Sequence, residues 1–173
     1  MARESGGRAL TDAQRAFLEA ARAATLGTIA EDGRPRLVPI CFVLLDADLY
    51  TPIDEKPKAG DPRALARIRD IERRSDVTVL VDRWDEDWTQ LAWLRCDGRA
   101  TLTDDDAERT AVIEALRAKY PQYASHDLEH RPLIRIAIER VRSWGDLSGP
   151  GRLPSPPGGG SGSSSSPGGS RPR

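Results

Sequence analysis

The apolar positions along this chain fall into short runs of two periods. Thr11 followed by Gln14 predicts a capping box that opens a helix, and Ala13, Phe17, Leu18 and Ala21 give that helix one apolar stripe. Ala24 to Ile29 then reads as a short strand. Glu31-Asp32-Gly33-Arg34 predicts a hairpin, because Asp-Gly supplies the positive φ of a tight turn. From Arg36 to Leu44 the apolar residues Val38, Ile40, Phe42 and Leu44 recur at period two. Pro39 lies inside this run, so that part of the strand must be an edge or a bulge. Asp46-Ala47-Asp48 turns the chain into a further strand, Leu49 to Ile53.

Helical period returns with Leu65, Ile68 and Ile71, with Asp61 as N-cap, Pro62 at the first helical position and Arg73 and Arg74 at the negative end of the helix dipole. Val77 to Asp82 alternates as a buried strand. A tryptophan-bearing loop, Trp84 to Trp88, leads to a long strand pair with Asp97-Gly98 as its expected turn. Asp104 to Tyr120 predicts a third helix, acidic at its start, basic at its end and stopped by Pro121. Pro132 to Val141 alternates once more. About six strands joined mostly by hairpins, with three helices, predict an α+β barrel with an antiparallel sheet rather than a parallel doubly wound one.

Composition divides the chain. Residues 1–10 form a polar arm, 11–145 carry the periodic pattern, and 146–173 form a tail dominated by Gly, Ser and Pro. Such a tail cannot bury enough apolar surface to offset its ordering entropy, so disorder is expected there. Its glycines follow no strand and precede no helix, which excludes a phosphate loop. The 29 residues from Gly145 onward carry +2 of a formal net charge of −1, leaving −3 for the rest. A net acidic core with 5% aromatic residues and no interleaving of basic and aromatic positions argues against nucleic acid as partner. No apolar run approaches the ~18 residues of a membrane span, and no secretory h-region opens the chain. Two isolated cysteines, Cys41 and Cys96, fit a reducing cytoplasm. His126 and His130 stand four apart without a third ligand, so no metal site is expected.

The blocks LYTPIDEKPK (Leu49 to Lys58), LVDRWDEDWTQLAWLRCDG (Leu80 to Gly98) and KYPQY (Lys119 to Tyr123), in this order, resemble the pyridoxamine 5′-phosphate oxidase-like split-barrel family, and within it the coenzyme F420-dependent branch. The resemblance covers roughly residues 10–145. It implies a homodimer of six-stranded barrels with a cofactor in each interface groove. The cofactor implied is F420, with FMN as the alternative. It further implies an oxidoreductase passing a hydride between cofactor and a small substrate, with a non-enzymatic carrier as a further alternative. Carried over by position, Arg36 and Val38 lie beside the ring with Pro39 and Ile40 following them at the cofactor, Tyr50 and Thr51 end a strand at the cofactor, Lys56 and Lys58 face its phosphate, and Arg67 is the candidate that helps them. No catalytic side chain is expected, since the cofactor carries the hydride chemistry and the protein binds and orients. The charge agrees: residues 56–74 hold seven basic and three acidic side chains. Read without the resemblance, Lys56 and Lys58 are ordinary solvated loop charges. Trp84, Trp88 and Trp93 are read as core or interface aromatics.

Overall fold

The computed structural model describes residues 9–53 and 65–148. Helix α1 (Asp12–Ala20) opens on the expected capping box, with Thr11 and Gln14 each accepting from the other's backbone N–H. Strands β1 (Ala24–Ile29) and β2 (Pro35–Ile40) form the first hairpin, and Gly33 takes φ 82° in its turn. β3 (Val43–Leu45) and β4 (Asp48–Pro52) form a second hairpin, turned by Asp46 at φ 54°. Then follow α2 (Ala66–Arg73), β5 (Asp76–Arg83), β6 (Ala92–Leu102), α3 (Asp106–Lys119) and β7 (Leu133–Gly145). Asp61 and Pro62 lie outside the described residues, and the described helix starts at Ala66 behind an extended Leu65.

All neighbouring strands are antiparallel, in the order β2-β1-β5-β6-β7-β4-β3. This is the expected α+β split barrel, with seven strands rather than six. Two local departures redraw the strand boundaries. The run from Arg36 to Leu44 breaks at Cys41-Phe42 into β2 and β3. The segment around Asp97-Gly98 is one continuous strand, β6, and Asp97/Gly98 is a bulge in its pairing with β7. A Cβ at Gly98 would drive into the Ala137 carbonyl oxygen, so glycine is required there by close approach of β7, not by a turn.

β2 and β3 are the two edges of the sheet, yet only two residues of chain separate them. At ~3.8 Å per residue this forces the edges together at one end. No ladder joins them, so the sheet curls into a barrel that stays split along this seam. Pro39 sits on edge strand β2, where its missing N–H is tolerated. The interior is filled by Leu26, Phe42, Val79, Leu94 and Ile136, capped by Leu18 of α1 and Ile68 of α2. A second cluster lies outside β3, β4 and β7, where Tyr50 and Leu133 pack against Val112, Leu116 and Tyr120 of α3 and its C-terminal end. Among the described residues no helix is long and apolar enough to cross a membrane.

Candidate functional site

The seam holds a pocket of about 160 Å³, lined by Pro39, Ile40 and Cys41 at the end of β2, Thr51 of β4, Arg67 of α2 and Tyr123. Its walls follow from the strand break. Phe42 leaves the ladder, and its backbone N–H and C=O are taken by one side chain instead. Tyr120 Oη accepts from Phe42 N at 3.1 Å and donates to Phe42 O at 2.9 Å. This pair of bonds replaces the missing ladder partner and fixes the backbone that carries Ile40 and Cys41. The buried Tyr120 hydroxyl is held above the usual phenol range, chiefly by burial.

Four of the nine residues expected at the cofactor meet here: Pro39, Ile40, Thr51 and Arg67. Lys56 and Lys58 lie outside the described residues. The other three point elsewhere. Arg36 turns to α2, where its Nε lies 2.8 Å from Asp70 Oδ2. Val38 packs on the interior cluster. Tyr50 faces the opposite side of β4 from Thr51 and donates to Glu108 Oε1 at 2.6 Å. Burial, then that carboxylate, raises the Tyr50 phenol well above its ordinary pKa. Glu108 also lies 3.4 Å from Arg135, which pairs with Asp48 at 2.6 Å, so this network ties α3 to β4 and β7.

Cys41 and Tyr123 enter the pocket without having been assigned to it from the sequence. KYPQY contained the signal for Tyr123, because the proline that stops α3 starts a short 3₁₀ turn, Pro121–Ser125, that swings this ring to the seam. His126 stacks edge-on with Tyr123, and His130 binds Asp127 at 2.8 Å. Among the described residues no three metal-ligating side chains come together.

A larger open cleft of about 540 Å³ crosses the outer face of the sheet at Gly27, Leu37, Thr78, Asp97 and Arg140. It shares no lining residue with the seam pocket, and its own arginines, Arg74 and Arg140, are exposed where Arg67 is half-buried. Among the described residues nothing covers its outer sheet face: Leu37 is 68% exposed, and Trp84 and Trp88 at the end of the same face are 68% and 72% exposed. Neither tryptophan belongs to the core.

An antiparallel split barrel with a small pocket at its seam, Arg67 in its lining, is the class of fold that the chain presents. The chain belongs to the pyridoxamine 5′-phosphate oxidase family, whose model matches residues 10–145. No curated protein matches. Solved structures do. A conserved hypothetical protein of Mycobacterium tuberculosis superposes with TM-score 0.66 at 22% identity, over 92% of this chain and 98% of that one. A FAD-binding protein of Mesorhizobium loti gives 0.55 at 23% identity, over 74% and 87%. A heme binding protein of Mycobacterium smegmatis gives 0.62 at 16% identity, over 81% and 56%. At these identities the likeness is one of fold.

Proposed function

We propose that this chain is a coenzyme F420-dependent oxidoreductase, working as a homodimer with one cofactor at each interface groove and passing a hydride to or from a small electron-poor molecule. The observation that carries this reading is the meeting of Arg67, Thr51 and the Pro39–Ile40 strand end in one seam pocket. A guanidinium with a neighbouring strand-end hydroxyl suits a phosphate ester. The pocket volume of about 160 Å³ suits a phosphate and the chain attached to it. Sites that enclose a whole ligand run to roughly 300–1,000 Å³, so a tricyclic ring needs a second wall. The uncovered outer face, which Pro39 joins to the seam, is where a second copy supplies it.

When bound, the deazaflavin ring supplies the hydride chemistry. The chain's part is to bind and orient. Arg67 holds phosphate oxygens, Thr51 offers a hydroxyl at 2% residue exposure, and Tyr120 keeps the β2 end in place. Family membership and the FAD-binding neighbour support FMN as the alternative on the same barrel, and a carrier would use the same groove. Side-by-side titration with F420 and FMN tests the reading. Protein from a host that makes FMN but no F420 should be colourless and should bind added F420, more weakly as salt rises. A yellow protein with stoichiometric FMN and no F420 binding overturns it. Binding without turnover of any electron-poor acceptor identifies a carrier.

A further inference from the structure

The KYPQY segment places an arrangement of charge beside the seam that the phosphate pocket does not use. Arg22 follows α1, and Lys119 is the last residue of α3. Arg22 Nη1 donates to the Lys119 carbonyl at 2.5 Å, and Lys119 Nζ donates to the Leu18 carbonyl at 3.3 Å. Both cations rest on one aromatic ring: Arg22 Cζ lies 4.7 Å and Lys119 Nζ 5.6 Å from the Tyr120 centroid. Nζ also lies 4.2 Å from the centre of the Phe42 ring.

Among the described residues neither cation has a carboxylate at ion-pair distance. Glu19, in the neighbouring turn of α1, pairs with Arg15 at 3.9 Å and acts on Lys119 only as the last of the influences on it. Carbonyl dipoles and ring faces offer only partial charge, while the two cations repel each other. The cost is visible on Lys119, whose ammonium is brought down to about 8, by burial first and by Arg22 second. Two like charges held this way gain most from an anion that joins them. Neither cation lines the pocket itself; the Tyr120 ring that carries both meets Tyr123, a lining residue, edge-on at 5.6 Å between centroids, and Ala23, next to Arg22, is also in the lining.

We propose that Arg22 and Lys119 form a carboxylate-binding point at the edge of the seam pocket, taking an acid group on the part of the bound ligand that extends past its phosphate. This rests on the cofactor reading and deepens it, assigning the phosphate to Arg67 and a carboxylate to the second cation pair. The arginine fork suits two carboxylate oxygens, and the lysine adds a point charge. FMN ends at its phosphate and has nothing to offer the pair. The carboxylate could come from the glutamyl tail of the deazaflavin or from an acidic substrate.

The test uses the full chain and three probes: F420 with its glutamyl tail, the same deazaflavin phosphate without glutamates, and free glutarate as competitor. Lys119→Gln should weaken the tailed cofactor about tenfold and the tailless one by less than about twofold, since a hydrogen bond to a charged group is lost only in the first. Lys119→Arg, which keeps the charge, should restore most of the affinity and guards against loss of the fold. If the acid belongs to the substrate, the two deazaflavins bind wild type equally, and glutarate binds the loaded wild type and the loaded Lys119→Arg variant but not Lys119→Gln. Equal effects of Lys119→Gln on both deazaflavins, with glutarate indifferent to the variant, overturn the proposal. Should wild type bind neither deazaflavin, the cofactor reading fails by itself, and glutarate binding that requires Lys119 still supports the anion point while its absence overturns it.

Discussion

Asp70 Oδ2 accepts two hydrogen bonds at once, from Arg36 Nε at 2.8 Å and from Thr28 Oγ1 at 3.0 Å, and its side chain is 5% exposed. The first partner is on β2, the second on β1, and the carboxylate is on α2. One buried charge thereby fixes the helix that carries Arg67 against the strand that carries Pro39 and Ile40. Arg73 adds a longer contact at 3.5 Å.

Arg36→Ala strands that carboxylate with only Thr28 and the more distant Arg73. Leaving a buried charge without its partner costs about 3 kcal/mol, reduced here because Arg73 remains. The expected outcome is a loss of about 2 kcal/mol in urea unfolding, partly recovered when Asp70→Asn is added. Additive losses in the double variant would show that the two side chains do not act as a pair.

Gly98 and Gly33 make opposite demands. Gly98 leaves no room for a Cβ against Ala137, whereas Gly33 needs its positive φ but has nothing within 4 Å of where a Cβ would go. Gly98→Ala should cost several times more than Gly33→Ala, for which about 1 kcal/mol is expected from backbone strain. Thermal melts of the two variants decide this, and a milder effect at Gly98 than at Gly33 contradicts the bulge assignment.

Much of the fold is legible locally. The Thr11–Gln14 box and the Asp32-Gly33 turn are specified within a few residues, and each forms as the sequence predicts. Asp97-Gly98 uses the same dipeptide but does not turn, because Asp-Gly only permits a hairpin and the long partner β7 keeps β6 extended. The Cys41-Phe42 break is hidden by its own periodicity, since Phe42 stays inward as Val38 and Ile40 do. What breaks the strand is Tyr120, 78 residues away. The candidate site divides in the same way. Strand alternation allows only one of the adjacent Tyr50 and Thr51 into the pocket, and packing against α3 takes Tyr50.

Tyr120→Phe removes both hydrogen bonds to Phe42 while keeping the ring. Two buried backbone groups then lose their partner, which costs about 1–3 kcal/mol. Hydrogen exchange should accelerate at the Phe42 amide more than at Leu26 or Val79. An unchanged Phe42 amide would mean that the seam is held by other contacts.

Cys96 gives a pH dependence. Burial, with a smaller push from Asp97, raises its thiol to about 12, whereas an unfolded thiol titrates near ~8.5. Above that value the unfolded chain releases the proton and the folded chain keeps it. The folded state then binds more protons, so stability falls as pH rises from about 8.5 toward 12. Cys96→Ala should begin somewhat less stable at about pH 7.5, because a buried sulfur is lost, but should decline less between about pH 8.5 and 10.5. Parallel declines in the two proteins would assign the alkaline loss to the buried tyrosines alone.

Assembly is the remaining expectation, and the sheet's outer face carries the argument. Strand pairing sets Leu37, Gly27, Thr78, Asp97 and Arg140 in one row across β2, β1, β5, β6 and β7. Two rows along, Asp82, Trp93 and Trp144 align, with Trp84 and Trp88 just beyond. Leu37, Trp84 and Trp88 are each more than two-thirds exposed, and Trp144 is 42% exposed. Contiguous apolar surface beyond a few hundred Å² marks an interface on most soluble proteins. A two-fold arrangement would lay this face on its own copy, with the cleft at Gly27 open to a side chain from the other chain. The expected result is a dimer in sedimentation at micromolar concentration, converted to monomer by Leu37→Glu, with cofactor affinity falling in the same variant because the second wall of the groove goes with the partner. A wild-type monomer at that concentration sinks the dimer and the two-walled groove together. A Leu37→Glu protein that remains dimeric with full affinity moves the interface to another face.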